Sequence, residues 1–555
     1  MSDVVIQQGV EVPMSDGVIL RADVYRPTAP GSYPVLLHRT PYNRQFMQWI
    51  LPHLDILSAV RRGYVVVVQD TRGSHGSDGE WSPWTFERQD GHDTVVWASR
   101  LPDSNGKVGM FGGSYPGQTQ WAAAIAQPPG LAAISPQITW SDPRDGHMFR
   151  GGAVELALNS FWGLTQSLAH LSKVVVDAEE SSVAAAALIR DIEELHGDGN
   201  RALPVAPLAT LERFGLPDNG VARALRNPAT TDDALVAGRY ERVKVPSLNI
   251  GGWFDLFLQG TLDNYVGMRD QGMPSQLVVG PWTHDIGGGW GREGDVYFGV
   301  MSTIPPGAEN STQYQLDWFD RYLPDNPTPR NSDAPVQLFV MGINQWRDEQ
   351  EWPLQRTVAT PLYLQSDGGA SFEEPTGEQS HSNYVYDPVD PVPTLGGNHF
   401  TPRFRVGPVD QAPVESRSDV LVFTTTPLAE DLEITGRVTA RLFAATDGPT
   451  TDWVVKLCDV DENGRSLNIV DGIVRTTSEA GQTEEVDIDL WSTSIVIKAR
   501  HRLRIHVTSS NFPRWDRNPN TEAEALDEST FRAARQTIHH DAARPSHILL
   551  PVIPA

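Results

Sequence analysis

The chain opens with alternation. Val10 and Val12 lead into a tight turn at Asp16-Gly17, and Ile19, Ala22 and Val24 follow, which predicts a β-hairpin. Runs that are apolar at consecutive positions come next: Val35-Leu36-Leu37, Tyr64 through Val68, and Val108 through Phe111. A strand that is apolar on both faces has to be covered on both, so these runs predict a buried parallel sheet with helices or loops between its strands. After Phe111 stand Gly112-Gly113-Ser114-Tyr115-Pro116-Gly117, then Trp121 to Ala126, then Pro128-Pro129-Gly130. This is the pattern of a strand, a sharp turn and a helix.

From about Asp145 to Val243 the strand signal fades, and Ala/Leu-rich helical spacing replaces it, as in Leu188 and Ile192 ahead of Gly197. Strands resume at Ser247 to Ile250 and at Gln276 to Val279, so the helical stretch predicts a cap inserted into one α/β domain. Val336 to Met341 reads as one more buried strand, and a boundary is expected near Leu354. Beyond it Leu503, Ile505 and Val507 alternate with Arg502, Arg504 and His506 among many turn residues, which predicts an all-β domain, a two-sheet sandwich or jelly roll.

Length and charge narrow the class. The 555 residues suit about three domains of roughly 100 to 200 residues each. With 39% hydrophobic and 21% charged residues, the chain has an ordinary globular composition. A net charge of −26 repels phosphate backbones and anionic lipid, so neither nucleic acid nor membrane is an expected partner. The single cysteine, Cys458, leaves no internal disulfide and no multi-cysteine metal site. The N-terminal segment lacks a basic start with a continuous apolar stretch, and nothing reaches roughly 18 apolar residues. A soluble, cytoplasmic enzyme is expected, its oligomeric state left open and a homodimer compatible.

A nucleophilic serine needs an exposed hydroxyl, a base, a group that orients the base, and donors for the oxyanion. Ser114 lies on the strand-to-helix turn in the spacing Gly-x-Ser-x-x-Gly, where Gly112 and Gly113 relieve crowding. In the chain order Ser, Asp, His of the α/β-hydrolase fold, later strand ends offer Asp255 in Gly251-Gly252-Trp253-Phe254-Asp255 and His284 in Gly280-Pro281-Trp282-Thr283-His284. Three catalytic residue types at the carboxyl ends of strands are what a site above a parallel sheet requires.

With these motifs, His38-Arg39-Thr40-Pro41-Tyr42 and Asp70-Thr71-Arg72-Gly73 complete an ordered set of five. The chain resembles the cocaine-esterase-like (CocE/NonD) serine hydrolases, relatives of the X-prolyl dipeptidyl peptidases. Asp387 to Thr394 and Ser510 to Asp516 also resemble family segments, so the likeness spans essentially the whole length. The resemblance implies that Ser114 is the nucleophile, His284 the general base and then acid, and Asp255 the orienting carboxylate. It also implies that the Tyr42 hydroxyl and the Tyr115 backbone N–H are the oxyanion donors. Trp162 and Phe257 match positions that line the acyl pocket, although each could equally be core packing. The expected architecture is an α/β-hydrolase domain (1–144 and 241–354), a helical cap (145–240) and a jelly-roll β-sandwich (355–555).

Other polar groups are weighed against this site. His38, His75, His92 and the pair His539-His540 show no metal-ligand spacing, and no metal or cofactor is expected. Asp90, His92 and Asp93 read as a solvated helix start, and Asp70 with Arg72 as a buried ion pair bracing the loop from Gly73 to Gly79. Asp285 adds a carboxylate beside the base, which is expected to favour the imidazolium and discourage anionic substrates. The expected reaction is hydrolysis of small-molecule carboxylic esters, with an apolar or aromatic acyl group favoured, through an acyl-enzyme. An X-prolyl dipeptidyl peptidase or an amino acid ester or β-lactam acylase is the alternative, with an amide as substrate in some cases. Either would need acidic groups for an ammonium, for which Glu155, Asp177, Glu179 and Glu180 are available. A catalytically inert ligand-binding protein is the alternative of another class.

Overall fold

A computed structural model describes residues 4–174, 177–197, 220–286, 290–326, 334–400, 405–522 and 530–554. Ten strands of four or more residues form the main sheet: β1 (Val4–Pro13), β2 (Ile19–Pro27), β3 (Tyr33–Thr40), β4 (Val65–Asp70), β5 (Ser104–Gly113), β6 (Leu131–Gln137), β7 (Ser247–Gly252), β8 (Ser275–Gly280), β9 (Val336–Val340) and β10 (Gln345–Glu349). Their order across the sheet is β1-β2-β4-β3-β5-β6-β7-β8-β9-β10. β2 runs antiparallel to both its neighbours, β4 through β9 are mutually parallel, and β10 closes the edge antiparallel.

The consecutive apolar runs are explained by two cores, one on each face of the sheet. Val35, Leu37, Val65, Val67 and Met110 pack with Val95, Trp121 and Ala124 from helices α2 (Glu87–Ser99) and α3 (Tyr115–Ala126). Their in-between neighbours Leu36, Val66, Val68 and Phe111 pack on the opposite face with Ile56 and Ala59 of helix α1 (Ile56–Arg61) and with Leu316 and Trp318. The opening hairpin forms as expected, with Pro13 opposite Ile19 and Val10 opposite Ala22. β6 and β10 carry weaker patterns that the sequence reading passed over. β6 is short and interrupted by Ser135 and Pro136, and β10, Gln-Trp-Arg-Asp-Glu, is an edge strand with mostly polar residues.

Between β6 and β7 lie a short antiparallel pair (Phe149–Arg150 with Ala153–Val154) and the helices α4 (Leu156–Val174), α5 (Ala178–Gly197) and α6 (Val221–Arg226). α4 and α5 meet through Leu164, Leu171 and Leu188, with Ile192 alongside. After β10 the chain is β-rich. An eight-stranded and a four-stranded sheet enclose one core, containing Leu442, Trp453, Leu457, Ile488, Leu503, Ile505, Val507 and Ile548. Among the described residues, no helix is long and apolar enough to cross a membrane.

Candidate active site

Ser114 sits between β5 and α3 with φ 60° and ψ −126°. A non-glycine residue held in such a region costs about 1–3 kcal/mol and persists only where its surroundings impose it. Here the Ser114 N–H donates to Gln137 O (3.0 Å) at the end of β6, and Thr139 Oγ1 donates to Ser114 O (2.9 Å). A Cβ on Gly112, whose φ is 131°, would stand 2.7 Å from Pro116 Cβ and 2.8 Å from His38 Nδ1. One on Gly117 would meet Gln137 O at 2.9 Å. The glycines around the serine are therefore required by close packing of strand, turn and helix, as the sequence pattern implied.

Asp255 follows β7 and His284 follows β8. The Asp255 side chain is fully buried; its Oδ1 accepts from His284 Nδ1 at 2.7 Å and its Oδ2 from the Phe257 N–H at 2.9 Å. The two loops are tied together, because the Phe254 N–H donates to Trp282 O at 2.9 Å. A hydrogen bond from Nδ1–H to a carboxylate leaves Nε2 with the lone pair, the tautomer a general base needs. The His284 side chain keeps 14% exposure, whereas that of Asp255 keeps none.

Tyr42, just past β3, accepts a hydrogen bond from Trp162 Nε1 (3.1 Å) and is hydrogen-bonded to the Ser114 side chain. Burial pushes its phenol up to about 12, so the hydroxyl keeps its proton and remains a donor at neutral pH. The Tyr115 hydroxyl has other duties, donating to Glu87 Oε1 (2.8 Å) and accepting from the Trp84 N–H (3.1 Å). The backbone N–H of Tyr115 is the first of α3, a position with no intrahelical acceptor.

Trp162 on α4 and Phe257 belong to one aromatic cluster with Trp84, Tyr115 and Trp140, with Tyr42, Trp81 and Phe400 packed against it. Phe257 and Phe400 both stand edge-on to the His284 ring, at 5.5 and 5.1 Å between centroids. Phe400, His53 and His147 were missed by sequence reasoning. Phe400 comes from the β-rich half, in Gly396-Gly397-Asn398-His399-Phe400, where Asn398 Nδ2 donates to Asp255 O (3.0 Å) and Trp253 O (3.2 Å). No local pattern marks such a long-range approach; the paired glycines are the one available hint. His53 is held down at about 4 and His147 at about 3, in both cases by burial first, with the neighbouring His284 imidazole a smaller contribution in the same direction.

Several expectations are corrected. Asp70 and Arg72 do not pair with each other. Arg72 forms a two-pronged bond to Asp90 (2.6 and 2.9 Å) and reaches Asp16 (2.8 Å), whereas Asp70 is bound by Arg44 and by the Gly76 N–H. The loop is braced, but by partners far apart in sequence. Asp90 is accordingly buried and does not belong to a solvated helix start. The four acidic residues available for an ammonium are not gathered into one. Glu155 is buried and accepts from Trp515 Nε1 (2.9 Å); Asp177, Glu179 and Glu180 are exposed at the start of α5, where Asp177 Oδ1 accepts from the Glu180 N–H. Asp285 is exposed. The unexpected carboxyl near the base is Glu293, which accepts from Thr283 Oγ1 (3.0 Å) and is pushed up to about 8 by burial, with the Asp285 charge adding to the rise.

Comparison with known proteins agrees with this arrangement. Residues 16–285 match the model of the X-Pro dipeptidyl-peptidase (S15 family), and residues 331–549 match that of the X-Pro dipeptidyl-peptidase C-terminal non-catalytic domain. The chain belongs to this family of hydrolases. Within it, the chain belongs with the cocaine-esterase-like CocE/NonD members: it is 37% identical to cocaine esterase of Rhodococcus sp. (strain MB1 Bresler), over 99% of this chain and 98% of that one. Among solved structures it is similar to an aminopeptidase from a marine sediment archaeon of the Thaumarchaeota (TM-score 0.83, 26% identity, 100% and 97% covered). It is also similar to an α-amino acid ester hydrolase (TM-score 0.77, 25% identity, 99% and 97% covered). A CocE/NonD family hydrolase from Staphylococcus aureus shares the fold (TM-score 0.70, 18% identity, 99% and 94% covered).

Proposed function

We propose that this protein hydrolyses small carboxylic esters through an acyl-enzyme, using Ser114, His284 and Asp255. The carrying observation is the 2.7 Å hydrogen bond between His284 and buried Asp255, in a site whose elbow serine is hydrogen-bonded to Tyr42. Ser114 Oγ attacks the ester carbonyl as its proton passes to His284 Nε2, and the oxyanion is held by the Tyr42 hydroxyl and the Tyr115 N–H. His284 then protonates the leaving alkoxide, which departs as the alcohol. Water, deprotonated by the same nitrogen, attacks the acyl-enzyme; the acid leaves as the proton returns to Ser114. Asp255 stays ionised throughout and stabilises the imidazolium.

The aromatic lining from Trp162, Phe257 and Phe400 favours an apolar or aromatic acyl group over a charged one. The ester reading is preferred to an amino-terminal recogniser because Glu155 is engaged by Trp515 and the acidic start of α5 is exposed. The two β-sheets sharing one core support a jelly-roll domain at 355–555 behind a hydrolase domain at 1–144 and 241–354 with its cap at 145–240. The test is hydrolysis of short-acyl and aromatic p-nitrophenyl esters and of an Xaa-Pro anilide by wild type and Ser114→Ala. Ester cleavage lost in the variant is expected. Preference for the anilide would move the protein to the peptidase branch, and equal activity of the variant would remove Ser114 from the mechanism.

A further inference from the structure

Resting on the ester-hydrolase reading, we propose that His147 selects the acyl group, favouring an aromatic acyl chain that carries an uncharged hydroxyl over its unsubstituted counterpart. His147 lies in the segment between β6 and α4, and only 4% of it is exposed. Its ring stacks on Phe257 (5.4 Å, 10°) and meets Trp140 (4.5 Å), Trp84 (5.3 Å) and Trp162 (6.5 Å) edge-on. Phe257 also stands against His284, and Trp162 is bonded to Tyr42. His147 thus belongs to the aromatic wall beside the reacting carbonyl.

That wall has hydrogen-bonding capacity which the protein leaves unused. Among the described residues His147 Nδ1 is completely buried and has no hydrogen-bond partner. The buried indole N–H groups of Trp84 and Trp140, in the same cluster, are also unpartnered. Buried polar atoms ordinarily find partners, so such a group of exceptions calls for one from outside the chain. A neutral imidazole has one N–H and one lone pair. Its N–H can rest on an indole face, but its lone pair still requires a donor. A hydroxyl can give its proton to that nitrogen and accept from an indole N–H, which an ester or ether oxygen cannot do.

An ammonium would also donate, but the surroundings disfavour it. Burial holds His147 neutral, and it acts equally against a substrate cation in the same place. The nearby carboxylates are already engaged, Asp255 by His284 and Glu87 by Arg39 and Tyr115.

The experiment compares p-nitrophenyl phenylacetate with its meta- and para-hydroxyl derivatives and with p-nitrophenyl phenylglycinate, in wild type, His147→Phe and His147→Gln. One recovered hydrogen bond corresponds to about a tenfold preference in kcat/KM for a hydroxylated ester. The ratio should fall to about one in His147→Phe and be largely kept in His147→Gln, with unchanged melting temperatures showing both variants folded. A wild-type ratio of one, a ratio unmoved by His147→Phe, or a preference for the amino ester would each overturn the proposal. Calorimetric binding of ethyl phenylacetate and its hydroxylated forms to Ser114→Ala reads the same preference without turnover. Wild type inactive on every ester, with the binding preference intact, would sink the esterase reading and leave the role of His147 standing.

Discussion

Tyr42 shows how much of one residue's role depends on what surrounds it. In sequence it is an aromatic after a strand; folded, its hydroxyl accepts from Trp162 and lies within hydrogen-bond reach of Ser114. A protonated phenol at that place can follow the charge that develops on the carbonyl oxygen. On the proposed mechanism Tyr42→Phe removes one oxyanion donor and leaves the ring packing, so kcat should fall by roughly 10² to 10³ with little change in KM. Steady-state kinetics on a p-nitrophenyl ester checks this, and undiminished turnover would exclude the hydroxyl from the mechanism. Ser114 was legible for the opposite reason. Its requirement for glycine neighbours is local, and local backbone demands are written in adjacent residues.

Among the elements, the strand ends decide the chemistry. β5, β7 and β8 deliver Ser114, Asp255 and His284 because parallel neighbours put their carboxyl ends at one edge of the sheet. The loop after β8 carries a further device. Thr283, next to the base, donates to Glu293, whose carboxyl burial pushes up to about 8 from an ordinary value of 4.5. Between those pH values the unfolded chain has released this proton while the folded chain retains it. The contribution of Glu293 to stability is therefore full below about pH 4.5 and is lost progressively as pH rises towards 8. Glu293→Gln keeps an acceptor for Thr283 but cannot ionise, so denaturant unfolding across this range should show a shallower decline of stability than wild type. Identical slopes would contradict the raised carboxyl.

On the scale of the whole molecule, the site is completed by parts of the chain that are far apart. The β-rich half sends Phe400 against His284 and Asn398 onto the Asp255 loop. It also holds the cap. The Arg475 N–H donates to Gly151 O (2.7 Å), the Val154 N–H to Asp516 Oδ1 (2.7 Å), and Trp515 to Glu155. The two family-like segments of the β-rich half lie side by side, with the Thr394 N–H donating to Phe512 O (2.7 Å) and Phe512 packed on Leu156 at the start of α4. That helix carries Trp162, so its docking sets the position of the aromatic residue that the proposed function places at the acyl group. Gly151 has φ 54°, and a Cβ there would stand 2.0 Å from Ile473 O. Gly151→Ala should loosen this joint, lowering Tm by several degrees and raising KM for aromatic esters more than it lowers kcat. An unchanged Tm and KM would show that the joint does not control the pocket.

The sequence by itself determined the buried parallel sheet, the elbow serine, the order of Ser114, Asp255 and His284, and a β-rich second half. Each of these depends on periodicity or on neighbours a few residues away. Only the tertiary structure decided that Arg72 takes Asp90 and not Asp70, that Glu155 belongs to a joint and not to an ammonium site, and that His53, His147 and Phe400 surround the base. Charge pairing and aromatic packing join residues whichever way the chain brings them together, and a distance of a few ångströms across more than a hundred residues leaves no periodic trace in the sequence.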